Sequence, residues 1–157
     1  MFLFQGPGQE RNAAVENTLT RVFQSHGYSV IDAGTVAQLV RRNADLLQRY
    51  EIEAAKRFGT HLRADIVISG ESKTGSSEKT YELLGGKKVT VSQADVTAKA
   101  ILVNSGRILA ADSAHAHKPF DMTGEVVLQT AAEALAEKLL HGIETFFSRD
   151  TIDETSP

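Results

Sequence analysis

Cysteine and tryptophan are absent from this chain of 157 residues, proline occurs 3 times, and aromatic residues make up only 6%. Without cysteine there are no disulfides, no thiolate zinc sites and no cysteine nucleophile. The compartment stays open, because an exported protein can also do without cysteine. Charge of one sign is scarce as well: 17 Lys and Arg stand against 20 Asp and Glu, a net charge of -3, with a pI near 5.9. That balance argues against a nucleic-acid binder, whose affinity depends on clustered cations. No apolar run approaches the roughly 18 residues of a membrane-spanning helix. Met1-Phe2-Leu3-Phe4 lacks the basic flank and the length of a signal peptide. What is present, 41% hydrophobic residues, suffices for one domain that buries about two thirds of its unfolded surface.

Met1 to Gln5 reads as a first strand before a Gly6-Pro7-Gly8 loop. Leu3-Phe4-Gln5-Gly6-Pro7 also matches a protease recognition sequence, and the two readings stand side by side. From Glu10 to His26, Ala14, Val15, Leu19, Val22 and Phe23 recur at helical spacing, and Gly27 supplies the stop. Tyr28 to Ile31 reads as a short strand, and Asp32 as the cap of a second helix carrying Val36, Leu39 and Val40, with Arg41-Arg42 at its end. Asn43 to Tyr50 is ambiguous. Glu51 to Gly59 reads as a third helix with Ile52, Ala55 and Phe58 inward and Gly59 as its stop. Ala64 to Gly70 is a continuous apolar strand of the type buried on both faces.

Ser72 to Lys87, rich in Gly and Ser, is expected to be a mobile excursion. Lys88 to His117 then forms a long hairpin: Val96, Ala98, Ala100 and Leu102 alternate with Asp95, Thr97, Lys99 and Ile101, and Asn104-Ser105-Gly106 provides the reversal. The apolar parity changes between Val89/Val91 and Ala94/Val96, for which a β-bulge near Ser92-Gln93 is the simplest account. Ala94, Ala98, Ala100, Ala110 and Ala114 leave room for a helix close on the sheet. The candidate is Thr123 to Phe147, with a stripe of Val127, Ala131, Leu135, Leu139, Ile143 and Phe146. Residues 1–148 are thus read as a single domain and 149–157 as a disordered tail.

No combination of residues spells out a catalytic set, a cofactor site or a firm metal site. His115-Ala116-His117 puts two imidazoles on one side of a strand, a weak metal candidate that needs a third ligand such as Asp112 or Asp121. His26 and His61 lie at helix ends, and His141 beside the last helix's apolar stripe. Gly85-Gly86-Lys87-Lys88 lacks the spacing and the Ser/Thr of a phosphate loop. Glu71 and Glu82 have nothing to fix them as a carboxylate pair. Arg41-Arg42 and Lys56-Arg57 read as solvated helix ends.

Four stretches taken together carry a resemblance: Gly27-Tyr28-Ser29-Val30-Ile31-Asp32-Ala33, Arg63 to Glu71, Ala98 to Ala111, and Ala131 to Leu140. In order and spacing the chain resembles the superfamily that includes the curli secretion protein CsgG, the N-terminal domain of TolB and the middle domain of the flagellar assembly protein FlgT. The likeness spans residues 12 to 147. Asn104 stands where that pattern has Asp, and Ser72 to Lys87 is neither long nor apolar enough for the channel hairpin, so pore formation is not implied. The resemblance implies an α/β (α+β), anticodon-binding-domain-like layered fold, with a mixed sheet of about five strands, a long antiparallel hairpin and three or four packing helices.

It also implies a non-enzymatic structural or accessory part in a bacterial cell-envelope assembly, periplasmic or outer-membrane associated once an export signal is removed. The expected partners are proteins, including further copies of the chain, without nucleic acid, cofactor or metal. The expected contact residues are His115, His117, Lys118 and Phe120 at the hairpin end and Lys73 and Lys87 in the excursion. The alternative is a small-molecule or nucleic-acid binding module.

Overall fold

A computed structural model describes residues 2–5, 12–43, 51–119 and 124–153. In chain order the elements are β1 (Phe2–Gln5), α1 (Ala13–Ser25), α2 (Ala33–Arg42), α3 (Glu51–Leu62), β2 (Ile66–Tyr81), a 3-10 turn (Glu82–Leu84), β3 (Lys87–Leu102), β4 (Ile108–Pro119) and α4 (Gly124–Asp153). The sheet order is β1-β2-β3-β4. β1 runs parallel to β2, and the remaining two ladders are antiparallel. The mixed α+β class is as expected, with four strands among the described residues where about five were anticipated.

The missing strand is Tyr28 to Ile31. That segment stays outside the ladders, with Tyr28 and Val30 packed on one core and Ile31 on the other. β1 instead takes the place beside β2, from Phe2↔Ile68 to Gln5↔Glu71. The segment's direction is set by the end of α1. There Gly27 adopts φ 86, and the Tyr28 N–H donates to the Phe23 carbonyl at 3.1 Å. Phe23 and Tyr28 then meet edge to face, 5.4 Å between centroids.

Two helical layers cover the sheet. On one face α1 supplies Val15, Leu19 and Phe23, and α4 supplies Val127, Ala131, Leu135, Leu139 and Ile143, all against Ile68, Ala94, Val96, Ala98 and Ala100. The alanines let α4 lie close, as expected; a Cβ on Gly142 would come within 2.6 Å of the Ala110 Cβ. α1 is started by Asn12, whose Oδ1 accepts from the Val15 N–H while its Nδ2 donates to Ser72 Oγ at 2.8 Å, joining the helix to β2. On the other face Val36 of α2 and Ala54, Ala55 and Phe58 of α3 cover Val67, Ile101 and Val103. Val67 and Ile68 thus face opposite layers, as a strand buried on both sides requires.

Three expectations about α3 and the strands are corrected. Ile52 is 40% exposed. Gly59 does not end α3, which continues to Leu62; the left-handed turn falls on Arg63, at φ 54. Glycine is needed at 59 because a Cβ there would clash with Val103, 2.9 Å from its Cγ1. Ser72 to Lys87 is no mobile excursion: β2 runs to Tyr81 in unbroken register with β3, from Ile66↔Leu102 to Tyr81↔Lys87. Its Gly and Ser content reflects two strands with little covering them, since Lys73 to Lys88 are exposed or half-buried.

No bulge occurs at Ser92-Gln93; the irregularity lies between Ala100 and Ile101. The parity change marks a change of covered face. Ala94 and Val96 point to α1 and α4, while the buried Val89 and Val91 lie on the opposite face of the same regular strand. At the chain's end, α4 continues through Arg149 to Asp153. Asn43 ends α2, and the rest of the ambiguous 43–50 stretch lies outside the described residues, as do 154–157.

Candidate functional site

Antiparallel register brings residues that are distant in sequence into rows on the face of the sheet opposite α1 and α4. Lys73, Asp95 and His115 form one row across β2, β3 and β4; Gly75, Gln93 and His117 form the next. His115 Nδ1 lies 2.7 Å from Asp95 Oδ1, and the two imidazole rings are 5.8 Å apart. α3 covers the end of this face at Val67 and Ile101, and the next residue along, Lys99, has its Nζ 2.7 Å from Glu51 Oε2. Beyond it Asp95, Thr97, His115 and His117 are exposed. Lys73 also pairs with Glu71 at 3.5 Å. These exposed pairs are each worth about 0 to 1 kcal/mol, and the two rows form a solvated polar patch between stretches of the face where Val67 and Ile101, and Val89 and Val91, are buried.

The expected contact residues divide. His115, His117 and Lys73 share this open face. Lys118, opposite Ser92, lies on the other side of β4 by strand alternation. Lys87 is about 26 Å along β3 from the Asp95 row, at the strand's far end beside Gly86. Phe120 is outside the described residues, as is Asp121. Asp112, a suggested third metal ligand, faces α4, where Lys138 Nζ reaches its Oδ1 at 3.3 Å. The Ser113 backbone N–H and Lys138 hold the Asp112 carboxyl below its ordinary pKa. Among the described residues no group of three His, Cys, Asp or Glu could hold a metal ion. Glu71 and Glu82 lie about 35 Å apart along β2, too far to act as a carboxylate pair.

Lys138 has a second contact, donating from Nζ to the Ser113 carbonyl at 2.7 Å. β4 is an edge of the sheet, and an exposed Asp112–Lys138 pair whose lysine also binds a strand carbonyl puts charge there, which disfavours the pairing of another strand.

Two features had no counterpart in the sequence reading. The first is the β2–β3 tip, where Leu83 is fully exposed and Leu84 is 46% exposed. A signal existed: an apolar pair directly before Gly85-Gly86, outside any alternating pattern. The second is a cavity of about 410 Å³ between the Tyr28 to Ile31 segment and Arg63 to Ile68, floored by Phe23. It arises because that segment is not a strand, which no local signal foretold. Burial and the nearby Glu144 carboxylate raise the Tyr28 hydroxyl above its ordinary pKa.

The chain matches no known family model and no curated protein. Among solved structures it is similar to the lipoprotein GNA1162 from Neisseria meningitidis, at 15% identity and a TM-score of 0.54, over 89% of this chain and 94% of that one. At this identity the likeness is one of fold. Two further structures align with TM-scores below one half. PelC from Paraburkholderia phytofirmans, a dodecamer, gives 0.47 at 16% identity over 90% of this chain and 84% of that one. A minor lipoprotein from Acinetobacter baumannii gives 0.43 at 9% identity over 94% and 93%. No helix among the described residues is long and apolar enough to cross a membrane.

Proposed function

We propose that this chain is a non-enzymatic accessory subunit of a bacterial cell-envelope assembly, of the CsgG, TolB and FlgT kind, that works through protein surfaces and associates with copies of itself. It would act on the periplasmic side or at the outer membrane. The observation that carries the reading is the β2–β3 arm. Its two strands project an exposed segment, Lys73 to Lys88, ending in a leucine with no cover at all. Leu83, with the half-exposed Leu84 beside it, gains nothing for the fold of its own chain in water and offers a partner an apolar contact at the tip of a hydrogen-bonded hairpin.

Two further observations support the reading. The fold is shared with a bacterial lipoprotein, and His115, His117, Asp95 and Lys73 lie together and exposed on one face of the sheet. Native mass spectrometry of the protein recovered from a bacterial envelope fraction tests it. A homo-oligomer or a stable complex is expected; a strict monomer without an envelope partner contradicts it.

A further inference from the structure

We infer that the Leu83-Leu84 tip of one copy of this chain seats in the cavity between Tyr28–Ile31 and Arg63–Ile68 of a second copy. The inference rests on the assembly reading and adds which two surfaces meet. The tip is built to present these side chains. Gly85 at φ 71 and Gly86 at φ 76 close the turn, with the Gly85 N–H on the Glu82 carbonyl at 3.0 Å and the Gly86 N–H on the Tyr81 carbonyl at 3.2 Å. Leu83 is therefore held outward by the backbone and is 100% exposed.

The receiving site has matching chemistry. Its volume of about 410 Å³ lies within the range of roughly 300 to 1,000 Å³ of small-molecule pockets, room enough for two leucine side chains. Phe23, Tyr28, Val30 and Ile68 give it apolar walls, and Arg63 and Asp65 stand among the lining residues with opposite charges. The tip carries opposite charges too, Glu82 and Lys87 on either side of the leucines. Glu82 toward Arg63 and Lys87 toward Asp65 makes the contact complementary in sign.

A tip cannot enter the cavity of its own chain. β2 starts at the cavity, at Ile66, and ends beside the tip, at Tyr81, a span of about 50 Å at the rise of an extended strand. Because tip and cavity are different surfaces, the contact is head to tail and propagates until it closes into a ring or continues as a filament. Two leucines cover much less than the roughly 800 Å² per partner of a standard interface. Each contact is therefore weak, and the assembly is concentration dependent.

The lack of native cysteine allows a clean cross-linking test. Leu84→Cys and Ser29→Cys are prepared as separate variants, mixed and oxidised. A disulfide needs Cα atoms within about 7 Å, so the mixed disulfide, joining position 84 of one variant to position 29 of the other, forms ahead of either self-pair only if tip and cavity meet between copies. The Leu84→Cys/Ser29→Cys double variant then gives a ladder of covalent oligomers. Leu83→Asp, at a fully exposed position, keeps the wild-type melting curve and loses the oligomer on native mass spectrometry. A monomeric wild type overturns both the self-association reading and this inference. An oligomeric wild type that shows no preferential mixed disulfide, or whose Leu83→Asp variant stays oligomeric, overturns this inference alone.

Discussion

Replacing Gly59 with alanine sets two known effects against each other, and the geometry decides between them. In an ordinary helix interior Gly→Ala stabilises by about 1 kcal/mol, because glycine loses more backbone entropy on folding. At Gly59 the added methyl would clash with Val103, which is 7% exposed and held in the core between α3 and the sheet. The clash is with a β-branched side chain close to the backbone, which has no flexible end to swing away. Overpacking of this kind costs about 1 to 3 kcal/mol, so the net expectation for Gly59→Ala is a loss of about 1 kcal/mol. For a domain of this size, that is a fall of about 2 to 4 °C in Tm.

Val103→Ala alone leaves a cavity and costs about 2 kcal/mol. In the double variant the new methyl occupies the vacated space. It should therefore be less destabilised than the sum of the single changes by about 1 to 2 kcal/mol. Urea denaturation followed by far-UV circular dichroism measures all three variants. A Gly59→Ala protein more stable than wild type, or strict additivity in the cycle, would refute the close approach of α3 to Val103.

Two other outcomes are expected. Tyr28 has its pKa raised by burial and by Glu144; its neutral form is favoured in the folded state, so that stability is fully present below the ordinary tyrosine pKa of about 10 and is lost as pH rises through the folded value. Tyr28→Phe should remove this part of the alkaline loss, and identical alkaline melting curves for the two proteins would contradict it. Lys138→Ala removes the ammonium from the Ser113 carbonyl and from Asp112. Light scattering should then show faster aggregation on mild heating, through the unblocked β4 edge, with little change in unfolding midpoint. Unchanged aggregation would mean that Lys138 does not guard that edge.

The helices were legible from the chain because each carries a stripe at helical spacing, Val15 to Phe23 in α1 and Val127 to Ile143 in α4, and Asp32 caps α2 as expected. The start of α1 was not: it was read at Glu10, whereas Asn12 is the cap and Ala13 the first helical residue. The alanine face of β3 was equally plain. Position 59 misled, because the same residue type serves to end a helix or to let another side chain come close, and only the location of Val103 tells which. Ser72 to Lys87 misled because its strands lie largely outside the cores; with no buried face to specify, period-2 alternation is absent although the ladder is complete.

The site was legible only in part. His115 and His117 announce themselves by their i, i+2 spacing, but their neighbours Asp95 and Lys73 are set by strand register. Register is a property of the folded sheet and is not written in any local stretch.

Sedimentation velocity of the intact protein across about 1 to 100 µM, the range in which weak multi-site contacts assemble, tests self-association most directly. Expected is a sedimentation coefficient that climbs with concentration. A single monomeric species at every concentration would contradict it.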